Sequence, residues 1–207
     1  MGYELVGEVW DNLGFEAYLA DVNLGWANSV TVHHTAAPSL KQRPQGWIIQ
    51  HMRNLEHYYK TVLRWSAAPH LFTDEDQIFG MSSLYKRGVH ARSFNRDSIG
   101  IECLGNYDVE DPATGRGLKC WHTTAETVAT ILRKMNLPVN ETTVLFHRDD
   151  PKTNKTCPGK LVTKQWFISL VNSYYAETPV TPVPTLPDPV RLLTNRQKLE
   201  AIKTILG

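Results

Sequence analysis

Three residues far apart in the chain place the strongest constraint on its fold: His33 in VTVHHTAAPS, His147 in VLFHRDD and Cys157 in TNKTCPGK. Two imidazoles and a thiolate suit a zinc ion. Three protein ligands leave the fourth tetrahedral position open to water, the catalytic rather than the structural arrangement. Such a water ionises near neutral pH and attacks carbonyls that bulk water does not. Over half of the chain's length lies between His33 and His147. Only a body built from most of the chain can bring the three together, and the chemistry expected of it is hydrolysis.

The 207 residues are enough for such a body: 42% are hydrophobic and 21% charged, an ordinary globular balance that buries a core without disulfide staples. Lys+Arg number 22 against 21 Asp+Glu, a net charge of +1. That balance argues against a nucleic-acid partner, which would call for a basic stripe. Three cysteines, Cys103, Cys120 and Cys157, are an odd set and do not read as a secreted disulfide framework. The segment MGYELVGEVWDNLGF has neither the basic nor the apolar region of a signal peptide. No apolar run reaches the length of a membrane span. The expectation is a monomer made in a cytoplasm, with no membrane partner, that acts on its substrate after release.

Periodicity predicts an α/β arrangement. A short helix is expected around Leu13–Ala20 and a core strand over Ser29–His33. Trp47, Ile48, His51, Met52, Leu55, Tyr58, Tyr59 and Val62 have helical spacing, with Pro44 in the first turn. Pro69–Thr73 and Gln77–Met81 flank a DED turn and read as a hairpin. SIGIECL over 98–104 is a strand, with Ile99, Ile101 and Cys103 on one face and Gly100 and Glu102 on the other. Residues 105–121 read as a Gly/Asp/Pro-rich loop, and Thr123 with Glu126 as a capping box opening a helix. Thr143–Phe146 is a short strand, and Leu161–Tyr175 another amphipathic helix. Cys103 is expected in the core, and Cys120 as an incidental thiol beside Trp121. Residues 178–189 hold five prolines and read as an extended linker. The division is thus a catalytic domain at 1–177, a Pro-rich linker at 178–189 and a short C-terminal helix at 190–207.

The ordered series VHHTA, APHLFTDED, GVHARSFNRDSIGIE, FHRDD and KTCPG resembles the zinc-dependent N-acetylmuramoyl-L-alanine amidases of the peptidoglycan-recognition (amidase type 2) family, phage endolysins above all. The resemblance spans roughly residues 26–172. It implies a central mixed β-sheet flanked by helices, with Zn2+ at one end of a groove that takes bacterial peptidoglycan or muropeptides. The family's ligands match His33, His147 and Cys157; alternation along a strand agrees, since His33 and His34 must face opposite ways.

Members handle the attacking water with a tyrosine or a glutamate. The tyrosine position holds Pro69 here, while the glutamate position holds Glu102, so the resemblance implies Glu102 as general base and proton donor. The family's lysine falls on Lys155, where a cation would steady an oxyanion. His90 and Asn95 match positions that contact substrate. His70 is expected to support the ligands from behind or to be structural, rather than to bind metal. A module that binds peptidoglycan without cutting it, and an intracellular muropeptide-recycling amidase, are the alternatives. The absence of HExxH argues against a helix-based zinc peptidase.

Overall fold

The computed structural model describes residues 5–176. The expected linker and terminal helix lie outside the described residues. The elements run β1 (Val9–Trp10), α1 (Asn12–Ala20), β2 (Ser29–His34), α2 (Ile49–Thr61), β3 (Leu71–Thr73), β4 (Ile78–Gly80), β5 (Ser98–Cys103), α3 (Gly115–Met135), β6 (Val144–Phe146) and α4 (Lys164–Ala176), with a 3-10 turn at His147–Asp149 after β6. The six strands form one mixed sheet in the order β1-β4-β3-β5-β2-β6. Strands β3, β5, β2 and β6 are parallel, and β1 and β4 add an antiparallel edge.

The two faces of the sheet have different occupants. Ile99, Ile101, Cys103, Val30, Val32 and Phe146 are fully buried. On that face Phe146 meets Phe167 of α4 at 5.8 Å, and the Thr73 hydroxyl meets that of Thr124 of α3 at 2.7 Å. Helix α1 packs on α3 through buried Phe15 and Leu19. The opposite face carries Thr31, His33, Gly100, Glu102 and Phe72, which the register sets side by side. Trp47, just before α2, packs there against Phe72 at 5.8 Å, and Leu55 and Tyr59 of α2 border the same cavity as Phe72 and Glu102. Both faces of the central strands are largely buried, as is usual for parallel strands.

Two expectations give way to packing. The helix expected from Pro44 begins at Ile49. Gly46 has a left-handed φ of +70°, and a Cβ there would meet the Asp74 carboxylate at 2.5 Å. That carboxylate accepts the Trp47 N–H at 2.7 Å, so the chain enters extended and docks Trp47 before the helix starts. The other departure is α3, which begins at Gly115, inside the stretch expected to be loop. Thr123 is therefore mid-helix and caps nothing; its hydroxyl donates to the Glu75 and Lys119 carbonyls at 2.9 and 3.3 Å. Gly115 and Gly117 are poor helix formers that disguise the start. Gly117 is nonetheless required, since a Cβ would meet the Asp111 carbonyl oxygen at 2.1 Å. Cys120, expected to be incidental, is fully buried on this helix, where burial raises its thiol pKa.

Candidate active site

The site lies at the carboxyl ends of the parallel strands, where open α/β sheets bind ligands. His33 comes from the end of β2, Glu102 from the end of β5, and His147 from the turn after β6. In-register pairing places His33 directly beside Glu102. Cys157 arrives from the loop before α4. The candidate donor atoms of His33, His147 and Cys157 all lie within 4.8 Å of one another. His33 Nδ1 is 3.1 Å from His147 Nδ1 and 3.7 Å from Cys157 Sγ. Tetrahedral zinc with ordinary bond lengths separates two nitrogens by about 3.3 Å and a nitrogen from a sulfur by about 3.6 Å. The two separations from His33 Nδ1 are therefore close to those that a shared zinc ion would set.

The electrostatics agree. Burial lowers the His33 pKa well below its usual value, helped by His90, His147 and Lys155. Burial and Lys155 also lower that of His147, against the opposing effect of Asp150. Both rings are therefore neutral, the form a metal needs. The Cys157 thiol is pushed up by burial and by Glu102; a divalent cation beside it would reverse that shift. Glu102 Oε1 stands 4.0 Å from His33 Nδ1, with its side chain 16% exposed. Burial raises its pKa to about 8, with Lys155 pulling the other way. A carboxyl so placed can exchange a proton at working pH.

His90 and Asn95 are built into the frame beneath the metal-ligand candidates. His90 Nδ1 is 3.1 Å from His33 Nε2, and His90 Nε2 is 3.1 Å from the Ser98 carbonyl oxygen. The carbonyl can only accept, so His90 Nε2–H donates to it. Nδ1 of His90 then accepts from His33 Nε2–H, and the unprotonated Nδ1 of His33 faces Cys157. Gly100 makes room for this ring, since a Cβ there would meet His90 Cγ at 2.4 Å. Asn95 Oδ1 accepts the N–H groups of His90 and Ala91, both at 2.8 Å. Both residues also border the cleft. Lys155 is exposed on its rim.

Arg148, Asp150 and Gly159 carry no role in the sequence analysis, although all three lie inside its motifs. Arg148 of FHRDD clamps the cysteine loop. Its guanidinium donates to the carbonyls of Thr156, Gly159 and Val162 at 3.2, 2.8 and 2.5 Å, and its N–H to that of Cys157 at 2.9 Å. Gly159 has φ +115°, and a Cβ there would meet the Tyr107 backbone at 2.5 Å. Asp150 accepts the Ser93 N–H at 2.9 Å and its hydroxyl at 2.7 Å, tying the His90 loop to the His147 turn. The adjacency of HRDD to a ligand candidate was the available signal. His70 is buried and structural, as expected: Nδ1 accepts the Gly100 N–H at 2.9 Å, and Nε2–H donates to the Lys86 carbonyl at 3.0 Å.

An α/β sheet with two histidines, a cysteine and a carboxyl gathered at one end offers the groups that metal-assisted hydrolysis calls on. The chain belongs to the N-acetylmuramoyl-L-alanine amidase family, whose model matches residues 25–160. Among solved structures it is similar to a mutant endolysin from Bacillus subtilis, at 25% identity and TM-score 0.54, over 70% of this chain and 86% of that one. It is also similar in fold to the N-acetylmuramoyl-L-alanine amidase LysC from Clostridium intestinale, at 18% identity and TM-score 0.55, over 83% and 95% of the two chains. A third likeness is to a mutant of Drosophila PGRP-LB in complex with tracheal cytotoxin, at 19% identity and TM-score 0.51, over 78% and 85%. No curated protein sequence matches the chain. No helix among the described residues is long and apolar enough to cross a membrane.

Proposed function

We propose that this chain is a zinc-dependent peptidoglycan hydrolase that cuts the amide between the lactyl group of N-acetylmuramic acid and the L-alanine of the stem peptide. The observation that carries the reading is the approach of His33 Nδ1 to His147 Nδ1 at 3.1 Å and to Cys157 Sγ at 3.7 Å, with the Glu102 carboxyl 4.0 Å from the same nitrogen. These three side chains would hold zinc, which would supply Lewis acidity and an acidified water. Glu102 takes the proton of the attacking water and returns it to the departing amine. Lys155, two residues before Cys157, steadies the oxyanion from the rim. His90 and Asn95 form the floor on which the substrate lies. An endolysin role draws support from the likeness to the Bacillus subtilis endolysin.

Product analysis tests the reading. Purified peptidoglycan treated with the protein should yield new L-alanine amino termini and no new reducing sugars. Wall binding without new termini would instead make the chain a recognition module. Termini of a different residue would make it a stem peptidase.

A further inference from the structure

The cleft at the site has two arms of opposite chemistry, and they meet at Trp65, His90, His147 and Lys155. One arm, in a cavity of about 540 Å³, is walled by Trp47, Leu55, Tyr59, Pro69 and Phe72. The other, of about 420 Å³, carries Arg92 and Lys152 beside Asn95 and Thr153. Its one carboxylate, Asp150, is already engaged by Ser93 and by the Lys152 N–H at 2.9 Å. That arm therefore presents cations with little to balance them.

The aromatic arm is built by the end of α2. The N–H groups of Val62 and Leu63 both reach the Tyr58 carbonyl, at 2.9 and 3.1 Å. Arg64 then takes a left-handed φ of 53°, a conformation costly for a residue with a side chain. The reversal brings the Trp65 N–H to the Tyr59 carbonyl at 2.9 Å. It also lays the two rings nearly parallel, centroids 5.1 Å apart and planes 13° apart. Both residues are half-buried and border the cavity that contains Glu102. The outcome is a stacked aromatic pair on the wall of the cleft.

Resting on the amidase reading, we propose that Tyr59 and Trp65 bind the N-acetylated sugar on the acyl side of the scissile amide, while the arm carrying Arg92 and Lys152 takes the stem peptide. The lactyl carboxyl is consumed in the amide, so the glycan half of the substrate is uncharged. The C–H face of a pyranose and an acetamido methyl suit the electron-rich face of an aromatic ring. The stem peptide carries free carboxylates, which are costly to desolvate against aromatic walls and gain charge-assisted contacts from Arg92 and Lys152. The polarity of binding follows: sugar toward α2, peptide toward the loop of Arg92.

Two soluble substrates separate this from a structural role: a GlcNAc–MurNAc tripeptide, and the same tripeptide bearing only a D-lactoyl group. Wild type should prefer the first. Tyr59→Ala, in the aromatic arm alone, should lower kcat/KM on the sugar-bearing substrate about tenfold, mainly through KM, and change the lactoyl peptide by less than about twofold. Tyr59→Phe, which keeps a flat ring, should restore most of the preference. Equal loss on both substrates, or no loss on either, would overturn the proposal. Wild type that cleaves neither substrate would overturn the amidase reading itself, and the sugar site with it.

Discussion

His33 and His90 form a two-ring relay: His33 Nε2–H donates to His90 Nδ1 at 3.1 Å, and His90 Nε2–H donates to the Ser98 carbonyl. A backbone acceptor at one end therefore sets which nitrogen of His33 is free at the other. Partners of this kind fix the tautomer and orientation of a metal-ligating imidazole. His90→Ala should weaken zinc binding by about 10–100-fold, read by competition with a chromogenic chelator. His90→Gln, whose amide oxygen can accept from His33 Nε2–H, should recover part of it. Unchanged affinity in His90→Ala would show that the relay orients nothing.

Glu102 is separable from metal binding. It sits beside His33 in register but is not among the three converging donors. Glu102→Gln should keep zinc and lose about 10²–10⁴ in cleavage rate. Zinc content and rate measured on one preparation decide this, and full activity in the variant would remove Glu102 from the chemistry.

Arg148 should matter without touching substrate. Its three guanidinium contacts hold the loop that delivers Cys157. Arg148→Ala leaves three carbonyls without their charged donor, and should cost roughly 2–4 kcal/mol in chemical unfolding as well as weakening zinc binding. A variant of wild-type stability and zinc affinity would mean the loop holds itself.

Acid should unfold the protein for a defined reason. Buried His70 accepts at Nδ1 from the Gly100 N–H and donates from Nε2 to the Lys86 carbonyl. A second proton would set two donors face to face. Burial pushes its pKa down to about 4, slightly offset by the bond to Lys86, against about 6.5 in an unfolded chain. The folded form binds fewer protons between these values. Its contribution is therefore complete above pH 6.5 and is lost as pH falls toward 4. From pH 7.5 to 5 the loss from His70 is about 2 kcal/mol. Buried His34 shares the sign, with burial as the main cause and a pKa of about 4. Urea midpoints of zinc-loaded wild type and His70→Gln at both pH values test this, and parallel slopes would contradict it.

Legibility in the sequence followed the range of the interactions. Strands β2, β5 and β6 were readable because local apolar patterning defines them, and the motifs at their ends marked the site. The start of α2 was not, because it depends on Asp74, distant in sequence, capturing the Trp47 N–H. The start of α3 was hidden by Gly115 and Gly117, whose low propensity is overridden by burial of Cys120, Trp121 and Thr124. His90 and Asn95 were named for substrate contact, but their backbone and histidine partners appear only once β5 and the loop before it fold against β2. Arg148 shows the same limit: its acceptors are carbonyls, which a sequence does not distinguish.

The most direct test is zinc stoichiometry measured together with release of L-alanine amino termini from purified peptidoglycan, before chelation, after it, and after zinc is restored. The expected result is one zinc per chain, cleavage lost on chelation and regained at about one equivalent, and neither binding nor cleavage in Cys157→Ser. Undiminished cleavage by the metal-free protein would contradict the account at its centre, as would full zinc occupancy in the Cys157 variant.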